Sequence, residues 1–261
     1  MAKLQPRNIV ITGASGGLGF GLASSYAQDG VVLGLVGRDE RRLHACADAC
    51  RQKGARVVTG MVDLRDTGAI HHWLETFDDA HPIGLLIANA GVASTLRPGS
   101  QWEGIERTAS IVDTNFLGAM RTVEPVIARM RERRRGQIAL ISSLAALRGM
   151  AISPAYCASK AALKAWGDSV RPLLARDGVH LSVVLPGFVR TPMSDVFPGD
   201  KPFLWPADKA ARVIRRQLAA RRAEIAFPRM LALGMQLLNL LPAEIADGIL
   251  MRMFAVSKGE R

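Results

Sequence analysis

Aromatic residues are scarce, at 5% of a 261-residue chain. A platform that stacks single-stranded bases needs rings in number, so a dedicated nucleic-acid module of that kind is excluded. Cysteine is scarcer: Cys46, Cys50 and Cys157. An odd, sparse set builds no disulfide framework, which points to a reducing, cytoplasmic setting. Cys46 and Cys50 sit four apart in a helical pattern without a third or fourth ligand nearby, so packing is expected there and no metal. No run of about 18 apolar residues exists, and no ordinary spanning helix is expected. The opening MAKLQPRNIVITG enters a strand almost at once, and no secretory signal is read in it. Acidic residues are outnumbered, 23 against 34 Lys and Arg, a formal +11. That balance favours anionic partners: phosphate groups, nucleic acid or an acidic lipid surface. The Arg clusters at 131–135 and 215–222 read first as solvated helix ends or faces.

What is present is an alternation. Short β-branched runs fall at Asn8–Thr12, Val31–Val36, Arg56–Met61, Gly84–Ala88, Gln137–Ser142, His180–Leu185 and Glu224–Phe227. They are mostly continuous rather than alternating, as strands covered on both faces are. Helical segments lie between them near 18–28, 39–53, 67–79, 102–132, 155–176 and 206–221. The expected fold class is α/β: a doubly wound, Rossmann-like parallel sheet of about seven strands with helices on both faces. One domain spanning 1–261 is the economical division. Residues 228–254 are rich in Leu and Met and broken by Pro242. This C-terminal extension reads as two short apolar helices, packed on the core or on another subunit. The alternative is a peripheral membrane contact helped by Arg229, Arg252 and Lys258.

The first strand runs into Thr12-Gly13-Ala14-Ser15-Gly16-Gly17-Leu18-Gly19, and a helix follows. Glycines permit positive φ and close approach of backbone to a bound group. The helix start offers unpaired N–H groups and a positive dipole end, a good pyrophosphate site. The spacing T-G-x-x-x-G-x-G is not the common G-x-G-x-x-G fingerprint, but its place after the first strand of an α/β chain favours a nucleotide. The second strand ends in Gly37-Arg38-Asp39. A carboxylate there would favour a free ribose 2′-hydroxyl, whereas an Arg accommodates a 2′-phosphate. NADP(H) is therefore expected ahead of NAD(H). Asp39 either caps the next helix or competes for the ribose.

Tyr156 and Lys160 stand four apart, on one face of a helix. A phenol has a pKa near 10, and a nearby ammonium lowers it towards a useful acid–base range. Ser142-Ser143 closes a strand thirteen residues upstream of Tyr156. Asn89-Ala90-Gly91 and Pro186-Gly187 close two others, so all converge on the carboxyl edge of the sheet, where ligands bind.

The sequence resembles the short-chain dehydrogenase/reductase family. The matching elements are TGASGGLG at 12–19, Asp63, NAG at 89–91, Asn115, ISS at 141–143, YCASK at 156–160 and PGFVRT at 186–191, in family order over residues 7–192. The resemblance implies an NAD(P)-dependent oxidoreductase of alcohols and carbonyls. It implies Tyr156 as catalytic acid/base, Lys160 lowering its pKa and holding the nicotinamide ribose, and Ser143 orienting the substrate oxygen. Asn115 would help hold a water linking Lys160 to solvent. Gly13, Ser15, Gly17, Leu18 and Gly19 would line the cofactor turn. Asp63, with Leu64 beside it, would meet adenine. Asn89, Ala90 and Gly91 would lie along the cofactor, with Pro186, Gly187 and Thr191 towards the carboxamide end. The resemblance also suggests a homodimer or homotetramer, although the family's short, glycine-ended C-terminus is not seen. Asn115 could instead bond backbone within a long helix, Asp63 could be a turn residue, and Cys157 is expected to pack.

The family's variable substrate loop falls near Met193–Pro206, where Met193, Phe197, Phe203, Leu204 and Trp205 could line an apolar pocket or simply seal the loop. Met150, Ala151 and residues 93–101 could add to it. A fairly hydrophobic small-molecule carbonyl or alcohol is the expected substrate. The rival readings are a non-enzymatic dinucleotide-binding sensor and a membrane-surface or nucleic-acid scaffold. No nucleic-acid partner is expected.

Overall fold

The structure, a computed structural model, describes residues 6–96, 102–198 and 200–253. In chain order the elements begin β1 (Asn8–Thr12), α1 (Gly17–Tyr26), β2 (Val32–Gly37), α2 (Glu40–Arg51), β3 (Arg56–Met61), α3 (Thr67–Ala80) and β4 (Leu85–Ala88). There follow α4 (Ile105–Val112), α5 (Gly118–Glu132), β5 (Gly136–Ile141), α6 (Pro154–Arg176) and β6 (Val179–Pro186). The last part holds β7 (Val189–Arg190), α7 (Pro192–Asp195), β8 (Trp205–Pro206), α8 (Ala207–Ala219), β9 (Glu224–Phe227), α9 (Arg229–Leu238) and α10 (Ala243–Met253).

Among the described residues the main sheet has seven strands in the order β3-β2-β1-β4-β5-β6-β9, every pair parallel. The order reverses between β1 and β4, which opens a crevice at their carboxyl ends. The continuous apolar runs are explained by burial on both faces: β4, for example, is buried at each position. One core packs α1, α2 and α8 against one face through Leu22, Leu43, Cys46, Cys50 and Ile214. The other packs α3, α5 and α6 through Ile70, Leu74, Val123, Val126 and Leu163.

One sequence expectation is corrected. The single helix over 102–132 is two helices joined by a π-helical turn at Asp113–Leu117. Its start lies at Ile105, because Gly104 adopts φ 79°, outside helical geometry. The substrate loop carries the short helix α7, and β7 before it pairs with β8 in a separate two-stranded sheet. The Cys46 and Cys50 thiols are buried and unbridged, as packing requires. No group of three His, Cys, Asp or Glu residues that could hold a metal occurs among the described residues. No helix there is long and apolar enough to cross a membrane.

Candidate active site

A cavity of about 430 Å³ opens along the carboxyl edge of the sheet. The cofactor residues expected from the sequence, from Gly13 to Thr191, all border it, as do Ser143, Tyr156 and Lys160. Asn115 does not; it is fully buried behind the wall.

At one end lies the glycine turn. Gly13 adopts φ +66°, and a Cβ on Gly19 would stand 2.1 Å from the Gly13 carbonyl oxygen, so neither position admits a side chain. Thr12 and Asn89 fasten the turn to β4. The Asn89 and Ala90 N–H groups donate to Thr12 Oγ1 at 3.1 and 3.2 Å, and Asn89 Nδ2 donates to the carbonyls of Thr12 and Gly13 at 3.0 and 3.3 Å. Asn89 is thus a brace of the turn as well as a cavity residue. Helix α1 begins without a side-chain cap and without an acid in its first turn. Its N–H groups and positive dipole end face the cavity, which fits a pyrophosphate.

The adenosine end carries Arg38, Asp39, Arg42 and Asp63. Asp39 caps α2 by accepting the Arg42 N–H at 3.0 Å, which settles its local role. Asp63 accepts from Arg65 through both oxygens at 2.6–3.1 Å and lies 3.7 Å from the Arg38 guanidinium. The Arg65 pairing outweighs burial and holds the carboxyl down at about 2. Gly37 leaves this strand end without a carboxylate; a Cβ there would stand 2.9 Å from Ser15 Oγ, which would have to turn aside.

The other end carries the Tyr/Lys pair. Helix α6 approaches the sheet closely at Gly167, where a Cβ would press on Val183 and Leu140 at 2.8 and 2.9 Å. Tyr156 is 8% exposed, and its ring meets Phe197 edge-on at 5.8 Å. Lys160 Nζ lies 5.9 Å from the Tyr156 ring centre and donates to the Ile141 carbonyl at 2.9 Å. Lys160 is close enough to favour a phenolate, but burial opposes it. Burial dominates and pushes Tyr156 up to about 12, with the Ser143 hydroxyl pulling it down. Burial likewise draws Lys160 down to about 8. Both shifts have one cause: a dry site disfavours the charged form of each group.

The two serines part company. Ser142 is buried and donates to the Lys160 carbonyl at 2.8 Å, stitching β5 to α6. Ser143 faces the cavity, donates to the Pro186 carbonyl at 3.4 Å and accepts from the Ala145 N–H at 3.1 Å. Asn115 sits in the π-helical turn. Its Oδ1 accepts the Val92 N–H at 2.7 Å, and its Nδ2 donates to the Val92 carbonyl and Ser159 Oγ at 2.9 and 3.0 Å. Its side chain ties the strand-end loop to α6, with both amide hydrogens used. Thr191 caps α7 through the Ser194 N–H at 3.3 Å and packs against Gly17, where a Cβ would stand 2.2 Å from its Cγ2.

The apolar wall near Tyr156 departs from the sequence reading. Met193 and Phe197 line the cavity, as does Met150. Phe203, Leu204 and Trp205 do not: Trp205 stacks on Phe227 at 5.0 Å, and Phe203 turns to solvent. Ala151 is exposed away from it. Residues 97–101 of the 93–101 loop lie outside the described residues. The places are taken by Leu144, Ala145 and Phe188, and by Leu231 and Met235 from α9. The inner face of the C-terminal extension therefore closes the site, packing close over Gly187. Glu103 carries no sequence signal, yet its Oε2 accepts the Ala155 N–H at 2.6 Å and caps the helix that holds Tyr156.

A seven-stranded parallel sheet, a glycine turn under an uncapped helix and a Tyr/Lys pair on one cavity define a nicotinamide-dinucleotide oxidoreductase. A family model described as short chain dehydrogenase matches residues 7–201, and the chain belongs to that family. It acts on CH–OH groups with NAD(P) as the hydride partner. The chain is 34% identical over 255 residues to an uncharacterized oxidoreductase of Myxococcus xanthus, covering 97% of this chain and all of that one. It is 33% identical over 190 residues to the ketoacyl reductase HetN of Nostoc sp., covering 72% of this chain and 66% of that protein. Among solved structures it resembles a short-chain dehydrogenase from Sphingobium yanoikuyae in complex with NADPH, with a TM-score of 0.79, 26% identity and 93% and 94% of the two chains covered. A Burkholderia phymatum member in complex with NAD shares the fold at a TM-score of 0.82, with 23% identity and 92% and 95% covered.

Proposed function

We propose that this protein interconverts a hydrophobic ketone or aldehyde and its alcohol, preferring NADP(H), with Tyr156 as the proton-transfer group. The observation that carries the reading is that Tyr156, Ser143 and Lys160 border the same cavity as the glycine turn. A bound nicotinamide supplies or accepts the hydride. The chain's own groups do the rest. The Ser143 and Tyr156 hydroxyls are placed to hold the substrate oxygen and polarise its carbonyl. Tyr156, raised to about 12, keeps its proton at neutral pH and is ready to donate it to that oxygen. The phenolate left behind gains from the Lys160 ammonium, 5.9 Å from its ring centre and, like the ring, almost fully buried.

Arg38 and Arg42 at the adenosine end, with no carboxylate at Gly37, support a 2′-phosphate. Phe188, Met193, Phe197, Leu231 and Met235 support an apolar substrate. The relative HetN is a ketoacyl reductase, and a carbonyl substrate here agrees with that. A screen of NADPH oxidation against ketones of rising hydrophobicity tests the reading. Turnover should rise with apolar size until the cavity is filled. Turnover only with small polar carbonyls would refute the substrate class, and none with any carbonyl or alcohol would favour the dinucleotide sensor.

A further inference from the structure

Helices α9 and α10 bury little of their own apolar surface. Ala232 and Met235 of α9 are buried, as are Ala246 and Leu250 of α10. On the far side of α9, Met230, Leu233 and Leu237 are 71%, 51% and 52% exposed. At about 100° per residue these three fall within about 60° of one another, opposite the buried stripe. Leu240 and Leu241 continue the surface into the turn, and Ile245 and Ile249 carry it along α10. A helix apolar on two opposite sides has two apolar neighbours. The protein core and the cavity wall are one of them.

We propose that the outward faces of α9 and α10 dock on an anionic lipid bilayer, lying in the headgroup–acyl boundary. The charge pattern favours lipid over a second copy of this chain. Arg229 and Arg252 flank the two stripes and make no ion pair with any described residue; of the two acids on α10, Asp247 is neutralised by Arg148 at 2.7 Å and Glu244 stands exposed at the helix start. The chain carries a formal +11, which draws it to an acidic surface and sets copy against copy. The exposed stripes are Leu, Ile and Met. Apolar stripes with basic flanks are the pattern of a helix lying in a bilayer surface. Such docking sets α9 between lipid on one side and the Leu231 and Met235 wall of the cavity on the other.

Flotation of the purified full chain with vesicles of phosphatidylcholine and phosphatidylserine, against phosphatidylcholine alone, tests this without any readout of turnover. The chain should float with the anionic vesicles, less so at high salt and on the neutral ones. The Leu233→Glu/Leu237→Glu pair should weaken capture by more than roughly tenfold, with unfolding midpoint and NADPH affinity unchanged. If that pair fails to fold, Met230→Ser/Leu240→Ser, at the most exposed positions, should weaken capture in the same direction. Wild-type protein that stays off anionic vesicles overturns the proposal. So does capture indifferent to these substitutions, or a dimer by light scattering that the same substitutions dissolve while vesicles capture nothing.

Discussion

Lys160 Nζ is held by the carbonyl of Ile141, 2.9 Å away, at the last residue of β5. The bond pins the ammonium between helix and strand, yet burial still draws its pKa from 10.5 to about 8. Between those values the unfolded chain binds a proton that the folded chain does not, so stability rises with pH across the window. Above about pH 10 the buried Tyr156 works the other way, because the unfolded phenol ionises while the folded one keeps its proton up to about 12. With Lys160 and Tyr156 both following their shifts, stability gains from pH come from Lys160 first. The buried Cys46 and Cys157 thiols, raised as well, pull stability down from about pH 9, so the Lys160 climb between about pH 8 and 10, on the order of 3 kcal/mol, is read in urea unfolding as the difference between the parent and a variant without the ammonium. Lys160→Met should flatten that climb. An undiminished climb in the variant would show that another group is responsible.

Ser142 and Ser143 differ in what their hydroxyls meet, and the variants should separate along that line. Ser143→Ala removes a hydroxyl from the cavity, and kcat/KM should fall by roughly a hundredfold. Ser142→Ala breaks the buried bond to the Lys160 carbonyl. It should cost about 1–3 kcal/mol of stability and leave turnover largely intact. Steady-state kinetics paired with denaturation of both variants decides it, and the reverse pattern would exchange their roles.

Arg38 stands at the adenosine end beside Asp63, at 3.7 Å. Losing a charge-assisted contact to a 2′-phosphate is worth about 10- to 100-fold in affinity. Arg38→Asp should weaken NADPH binding by that factor and NADH binding far less. Equal losses for both cofactors in a fluorescence titration would mean that Arg38 reads no phosphate.

Met235 is buried in the cavity wall, on a helix that follows the last strand. Met235→Ala enlarges the substrate end, and the kcat/KM ratio of a ketone with one added methylene or ring over its smaller homologue should rise roughly tenfold. A ratio that does not move would remove α9 from the specificity determinants.

The sheet was legible in the sequence because parallel strands buried on both faces leave unbroken apolar runs, and those runs fall within a residue or two of the observed strands. The site was legible because its parts are local. A glycine turn, a strand end and an i, i+4 pair each read from a few adjacent residues, and the fold gathers them. What was missed depends on distance in the chain. Glu103 caps α6 from 52 residues away, and a lone Glu in a loop carries no signal of that. Leu231 and Met235 read as general apolar packing, since nothing in a Leu-rich stretch says which face meets a cavity. The π-helical turn holds Asn115, whose side chain bonds Val92 and Ser159, contacts distant in the chain that helix propensity does not announce. The upward push of burial on Tyr156 is of the same kind: the charge at i+4 is visible in sequence, whereas desolvation is a property of the fold.

Tyr156→Phe keeps the ring that packs on Phe197 and removes only the hydroxyl. Turnover of the best carbonyl substrate should drop by about 10²–10⁴-fold, the worth of a positioned proton donor, while NADPH affinity, measured in parallel, stays within about twofold. A variant that turns over like the parent would contradict the assignment of the proton to this phenol.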